Sequence, residues 1–132
     1  MKAYIDANVF VLSAFGTGEK GLIATGIMEK LQSGTLEGTT CSLTIDEFMW
    51  AVLRQKHGHR LHELTEALYE TPNLSIVETP ADAPRVALKF MRAHALRPRD
   101  AIHCAVMQRF GISTIFSDDA DFDRVKGITR KF

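Results

Sequence analysis

The sequence has no surplus of either charge. Sixteen basic residues stand against 16 acidic ones among 132, for a formal net charge of zero. Overall charge therefore offers no attraction to a polyanion, and any nucleic-acid surface must come from local clustering. Cysteine is scarce: Cys41 and Cys104 lie far apart and fit no metal-ligand spacing, so both are expected as reduced core residues. The five histidines add no zinc pattern either. No run approaches the roughly 18 apolar residues of a membrane span. The chain opens directly into a strand-like segment without a signal-peptide layout, so a cytoplasmic location is the expectation. Repeats, low-complexity tracts and internal linkers are also missing. One domain over residues 1–132 is expected, and a chain of this length buries roughly two-thirds of its unfolded surface without a disulfide or zinc staple.

What is present alternates between two periods. Residues 2–5, 39–41, 74–77 and 114–117 read as short strands, and 128–131 as a possible last one. Helical spacing covers residues 7–14 and 19–33, the latter through Ile23, Ile27 and Leu31 with Gly34 as its stop. The stretch 44–57 is amphipathic, with Ile45, Phe48, Met49, Val52 and Leu53 on one face. Leu61, Leu64 and Leu68 mark another helix, stopped before Pro72. Ala83 to Met91 forms the next, and Pro98 opens the last, which Gly111 ends. Strands separated by helices or helix pairs predict an α/β fold: three layers, α/β/α, around a mainly parallel sheet of four to five strands. Ligands of such sheets sit beyond the carboxyl ends of the strands, where strand order reverses.

Acidic residues recur at those positions. Asp6 ends the first apolar run, Glu47 and Asp100 fall near helix starts, and Asp119 and Asp121 follow Thr114-Ile115-Phe116. Each has an ordinary structural explanation. Asp6 suits a helix N-cap. Thr44-Ile45-Asp46-Glu47 has the form of a capping box, with Leu43 and Phe48 placed as a hydrophobic staple. Asp100 suits the positive end of a helix dipole. Asp118, Asp119, Asp121 and Asp123 make a solvated acidic turn by default. Only convergence in one pocket gives them chemistry, and an all-oxygen pocket takes magnesium or manganese.

The ordered segments Ile5-Asp6-Ala7-Asn8, Ser42-Leu43-Thr44-Ile45-Asp46-Glu47, Arg99-Asp100-Ala101-Ile102-His103 and Ser117-Asp118-Asp119-Ala120-Asp121-Phe122 resemble a PIN-domain ribonuclease, closest to the stand-alone VapC-type toxins of toxin–antitoxin pairs. The resemblance spans essentially the whole chain. It implies an acidic quartet of Asp6, Glu47, Asp100 and Asp119, with Asp121 as a further, more variable acidic position. It implies supporting polar roles for Asn8 and for Ser117, which stands where threonine is frequent. It also implies a metal site formed by Asp6, Asp100, Asp119 and Asp121, endonuclease cleavage of RNA leaving a 3′-hydroxyl and a 5′-phosphate, a small antitoxin partner and a homodimer. On that basis Asp6 and Asp119 would anchor a principal Mg2+ or Mn2+. Glu47 and Asp100 would act through water, complete a second ion or orient the nucleophile. His103, three residues after Asp100 and on a neighbouring face of the same helix, is read first as a hydrogen-bonded structural histidine, with donation into the site as the alternative.

Arg97 and Arg99 flank the proposed site and are the first choice for RNA phosphates. The cluster Arg54, Lys56, His57, His59 and Arg60 and the tail Arg124, Lys126, Arg130 and Lys131 are further basic regions. Trp50 and Tyr69 are read as packing residues. The helices over 44–70 carry more apolar surface than one sheet face need bury, which leaves room for a dimer interface or a partner helix. Two other functions compete. A haloacid-dehalogenase-type phosphotransferase needs a second Asp two residues after the first, where Asn8 stands. A catalytically silent domain of the same fold, binding RNA or protein, would have no need of a complete acidic set.

Overall fold

The computed structural model describes residues 1–132. Five short strands, β1 (Lys2–Ile5), β2 (Glu37–Cys41), β3 (Leu74–Val77), β4 (Thr114–Phe116) and β5 (Thr129–Lys131), form one sheet in the order β3-β2-β1-β4-β5. Every neighbouring pair is parallel. The α/β class and the layered architecture therefore agree with the sequence reading, and the tentative last strand is present. Strand order grows in one direction from β1 to β3 and in the other from β4 to β5. The reversal lies between β1 and β4, whose register pairs Ile5 with Phe116. Asp6 and Ser117 thus leave the sheet side by side at its carboxyl edge, and the Asp6 amide donates to the Phe116 carbonyl at 3.0 Å.

Six helices cover the two faces: α1 (Ala7–Phe15), α2 (Gly18–Gln32), α3 (Ser42–Arg54), α4 (Leu61–Tyr69), α5 (Ala83–His94) and α6 (Pro98–Arg109). Alternation along β1 divides the core. Ala3 and Ile5 point into a cluster with Val9, Phe10, Leu31, Phe48 and Val52 from the first three helices. Tyr4 points the other way, among Cys41, Ala101, Met107 and Phe122. α6 is buried continuously from His103 to Met107, because it lies between the sheet and α5. Both cysteines are free and buried, as expected.

Three local expectations fail for physical reasons. α3 starts at Ser42, two residues before the proposed capping threonine; its N-cap residue Cys41 makes no side-chain cap, and the Thr79 hydroxyl accepts the Leu43 amide at 3.2 Å instead. The Thr44 hydroxyl instead lies 3.3 Å from the Tyr4 hydroxyl, inside the core. Leu43 and Phe48 cannot staple one another, since they pack into opposite clusters. Trp50 and Tyr69 do not pack: they are 57% and 56% exposed, and Met49 and Leu53 are also at the surface. The buried stripe of α3 is narrower than its sequence suggests, consisting of Thr44, Ile45, Phe48 and Val52.

Candidate functional site

Asp6 is the hub of the carboxyl edge. It is buried, and as N-cap of α1 its Oδ1 accepts from the Ala7 amide at 2.8 Å. Capping and site membership are therefore compatible. Its Oδ2 accepts from the Ser117 hydroxyl at 2.6 Å and the Asn8 amide at 3.2 Å. The Ser117 hydroxyl in turn accepts from Asn8 Nδ2 at 3.1 Å and from the Asp119 amide at 3.0 Å. Asn8 Oδ1 accepts the Asp118 amide at 3.1 Å. This web ties the ends of β1 and β4 together and fixes the start of the acidic turn. Asp119 caps the 3-10 turn that follows, its Oδ1 accepting the Asp121 amide at 2.9 Å.

The acids assemble into two adjacent groups. Ligand atoms of Asp6, Glu47 and His103 lie within 4.8 Å of one another, and those of Asp100, Asp119 and Asp121 do likewise. The sequence-derived metal set of Asp6, Asp100, Asp119 and Asp121 is thus divided: Asp6 sits with Glu47, and the other three sit together. The groups feel each other. Burial raises the Asp100 carboxyl from 3.8 to about 6, and the charges of Asp119, Asp6 and Glu47 add to the effect. Burial also raises Asp6, while the His103 charge and the Ser117 hydroxyl oppose it. Nearby cations are mostly engaged elsewhere: Lys20 pairs with Asp118 at 2.9 Å, and Arg130 is held by Asp123 at 2.9 Å while donating to the Ser117 carbonyl at 3.0 Å. Arg124 reaches Asp121 at 3.5 Å. Oxygen donors in this number, with their negative charge only partly balanced by side chains, suit a divalent ion that prefers oxygen, such as Mg2+ or Mn2+.

His103 is the residue whose importance the sequence understates. It is fully buried, with Nε2 at 2.5 Å from Glu47 Oε1 and Nδ1 at 2.7 Å from the Tyr4 hydroxyl. Tyr4 also donates to Cys41 Sγ at 3.0 Å. Its single proton then leaves Nδ1–H of His103 to donate to Tyr4 and Nε2–H to donate to Glu47, which makes the ring an imidazolium. Burial opposes that charge, but the hydrogen bonds to Cys41 and Glu47 and the Asp6 charge outweigh it and raise His103 to about 10. The Cys41 thiol is drawn down to about 6 against its burial, by His103 and Tyr4. Glu47 is thereby oriented from behind by a chain running through the core. Tyr4 was not singled out in the sequence, and Thr44 was read only as a helix cap. The available signal was a tyrosine inside an apolar strand, since a buried phenol requires a partner.

Arg97 and Arg99 are both exposed, at the N-cap and second position of α6. Only Arg99 lines the groove that contains Glu47 and Asn8, and Arg54 joins it there from α3.

The PIN domain profile matches residues 3–128. Ribonuclease VapC2 of Methanocaldococcus jannaschii is 23% identical over 136 residues, covering 94% of this chain and 89% of that protein. Among solved structures, Mycobacterium tuberculosis VapC20, a sarcin–ricin-loop-cleaving toxin, superposes with a TM-score of 0.73 at 19% identity over 92% of each chain. A toxin–antitoxin complex from Klebsiella pneumoniae superposes with a TM-score of 0.68 at 17% identity, covering 96% of this chain and 95% of that one. The chain belongs to the PIN domain family and is a distant relative of the VapC toxins.

Proposed function

We propose that residues 1–132 act as one unit, a divalent-metal-dependent endoribonuclease and the toxin of a toxin–antitoxin pair. The observation that carries this reading is the meeting of Asp6, Glu47, Asp100, Asp119 and Asp121 in two adjoining acidic groups at the strand-order reversal. Asp100, Asp119 and Asp121 would hold a Mg2+ or Mn2+ ion, with Asp6 beside them. A bound ion supplies charge neutralisation at phosphate oxygens and an acidified water. The chain's own contributions can be derived separately. Ser117 and Asn8 hold the Asp6 carboxylate in place through hydrogen bonds of 2.6 and 3.2 Å. His103 fixes one Glu47 oxygen at 2.5 Å, which leaves the other free to accept a proton from a nucleophilic water. Arg99, with Arg97 close in sequence, would supply positive charge for the RNA backbone.

Partners follow the same reading. The exposed Met49, Trp50 and Leu53 on α3 and Tyr69 on α4 give apolar surface for a small antitoxin or a second copy of the chain. A relative of the same fold was crystallised as a toxin–antitoxin complex. No helix is long and apolar enough to cross a membrane.

The decisive experiment is cleavage of single-stranded RNA by the purified chain. Cleavage should require Mg2+ or Mn2+, stop on chelation, and fall by at least about a hundredfold in Asp119→Asn and Asp6→Asn with circular dichroism unchanged. Undiminished cleavage in Asp119→Asn would overturn the assignment.

A further inference from the structure

A groove of about 330 Å³ runs beside the acidic cluster. Helical spacing builds it. Glu47, Ala51 and Arg54 lie at i, i+4 and i+7 on α3, facing Val11 and Leu12 of α1, and Arg99 enters from α6. Glu47 belongs both to this groove and to the carboxylate cluster, so the two share a wall. The arginines are exposed and make no ion pair within the chain. The floor, by contrast, is apolar: Val11, Leu12 and Ala51 are part-buried. A small apolar floor bordered by two unpaired guanidiniums matches a nucleotide, whose base needs a flat apolar contact and whose phosphate needs charge. A partner helix would need a longer apolar stripe than this floor offers.

We infer that this α1–α3 groove is a nucleotide subsite: it takes the base next to the cut on Val11, Leu12 and Ala51, and Arg54 and Arg99 hold the flanking phosphate. The inference rests on the nuclease reading for the words "next to the cut", and it adds Arg54 to the substrate contacts. Ala51 becomes the residue that sets how large a base fits. Asp118 also lines the groove, but Lys20 engages its carboxylate at 2.9 Å, which lessens repulsion of the incoming phosphate.

The test uses the full chain and a fluorescein-labelled single-stranded oligoribonucleotide whose cut position has been mapped. Replacing both arginines (Arg54→Ala with Arg99→Ala) should raise KM about tenfold at low salt and reduce the slope of log KM against log[KCl] by about 0.7, the loss of one neutralised phosphate, with little change in kcat. Ala51→Leu fills the floor. It should raise KM severalfold on the intact oligonucleotide and leave KM unchanged on one that is abasic at the nucleotide beside the cut. Unchanged KM and salt slope in the double arginine variant, with cleavage intact, would overturn the subsite and leave the groove free for a protein partner. Should the wild-type chain bind the oligonucleotide without cutting it, the nuclease reading falls on its own. Fluorescence anisotropy in Mg2+ then decides the groove: weaker binding by the double variant keeps it as an RNA site, and equal binding removes it.

Discussion

The crowding of carboxylates leads to a measurable conflict between stability and charge. Asp100 is half-buried, and burial followed by the Asp119 and Asp6 charges raises its carboxyl from 3.8 to about 6. The sign follows from proton linkage. The folded chain holds this proton more tightly than the unfolded chain, so the penalty is full above the folded value and fades as pH falls toward the unfolded one. A carboxyl moved from 3.8 to about 6 loses about 3 kcal/mol when fully buried, and half exposure reduces the loss to about 1.5 kcal/mol. No hydrogen bond contributes to the Asp100 shift, so an asparagine there removes the charge without stranding a strong partner. Metal-free Asp100→Asn should therefore melt above metal-free wild type by about 5 °C near pH 7.5. The gap should narrow by about 2–3 °C near pH 5, where the wild-type carboxyl is mostly protonated. Comparing the two proteins at each pH cancels the His103–Cys41 pair, which both retain. Saturating Mg2+ should reverse the order, because an ion at a hundredfold excess over its Kd adds about 2.7 kcal/mol to the chain that binds it. Thermal melts followed by circular dichroism, in chelator and in Mg2+, provide the test. A metal-free Asp100→Asn chain that melts below wild type near pH 7.5, or a gap that ignores pH, would refute the reasoning.

Three further outcomes follow from contacts described above. Ser117→Ala removes the hydroxyl that donates to Asp6 and accepts from Asn8 and the Asp119 amide; Mg2+ affinity measured by calorimetry should drop about 10- to 100-fold. Tyr4→Phe leaves His103 Nδ1 without its 2.7 Å partner, and urea unfolding should show a loss of about 1–3 kcal/mol. Gly38→Ala would set a Cβ 2.7 Å from Leu31 Cδ2 and 3.1 Å from both Ile5 Cγ1 and Leu74 Cδ1, so the same assay should register a loss of about 1–3 kcal/mol from overpacking.

The strand and helix sequence was legible because each element carries its own period and its own stop. Gly34 ends α2 with a positive φ of 76°, and Pro98 opens α6, as read from the residues. Helix ends were less legible. Thr44 looked like a cap in isolation, but tertiary packing claimed its hydroxyl for Tyr4. Exposure was misjudged at Trp50 and Tyr69 for a related reason: an apolar residue on an amphipathic helix does not reveal how wide a stripe its neighbours can cover. The acids could be named from local context, since strand ends and helix starts feed one sheet edge. Their division into two groups could not, because it depends on side-chain reach across β1, α3 and α6. The Tyr4–His103–Glu47 chain joins residues separated by 99 and 56 positions, and no local pattern announces it.

The pairing of β1 with β4 has a consequence for synthesis. The central seam of the sheet joins the opening residues of the chain to residues 114–116, and Ser117 and Asp119 follow directly. Synthesis must therefore proceed past residue 117 before β4 and Ser117 can hold Asp6 in place. Polypeptides released early would carry Asp6, Glu47 and Asp100 yet lack the segment that closes the cluster.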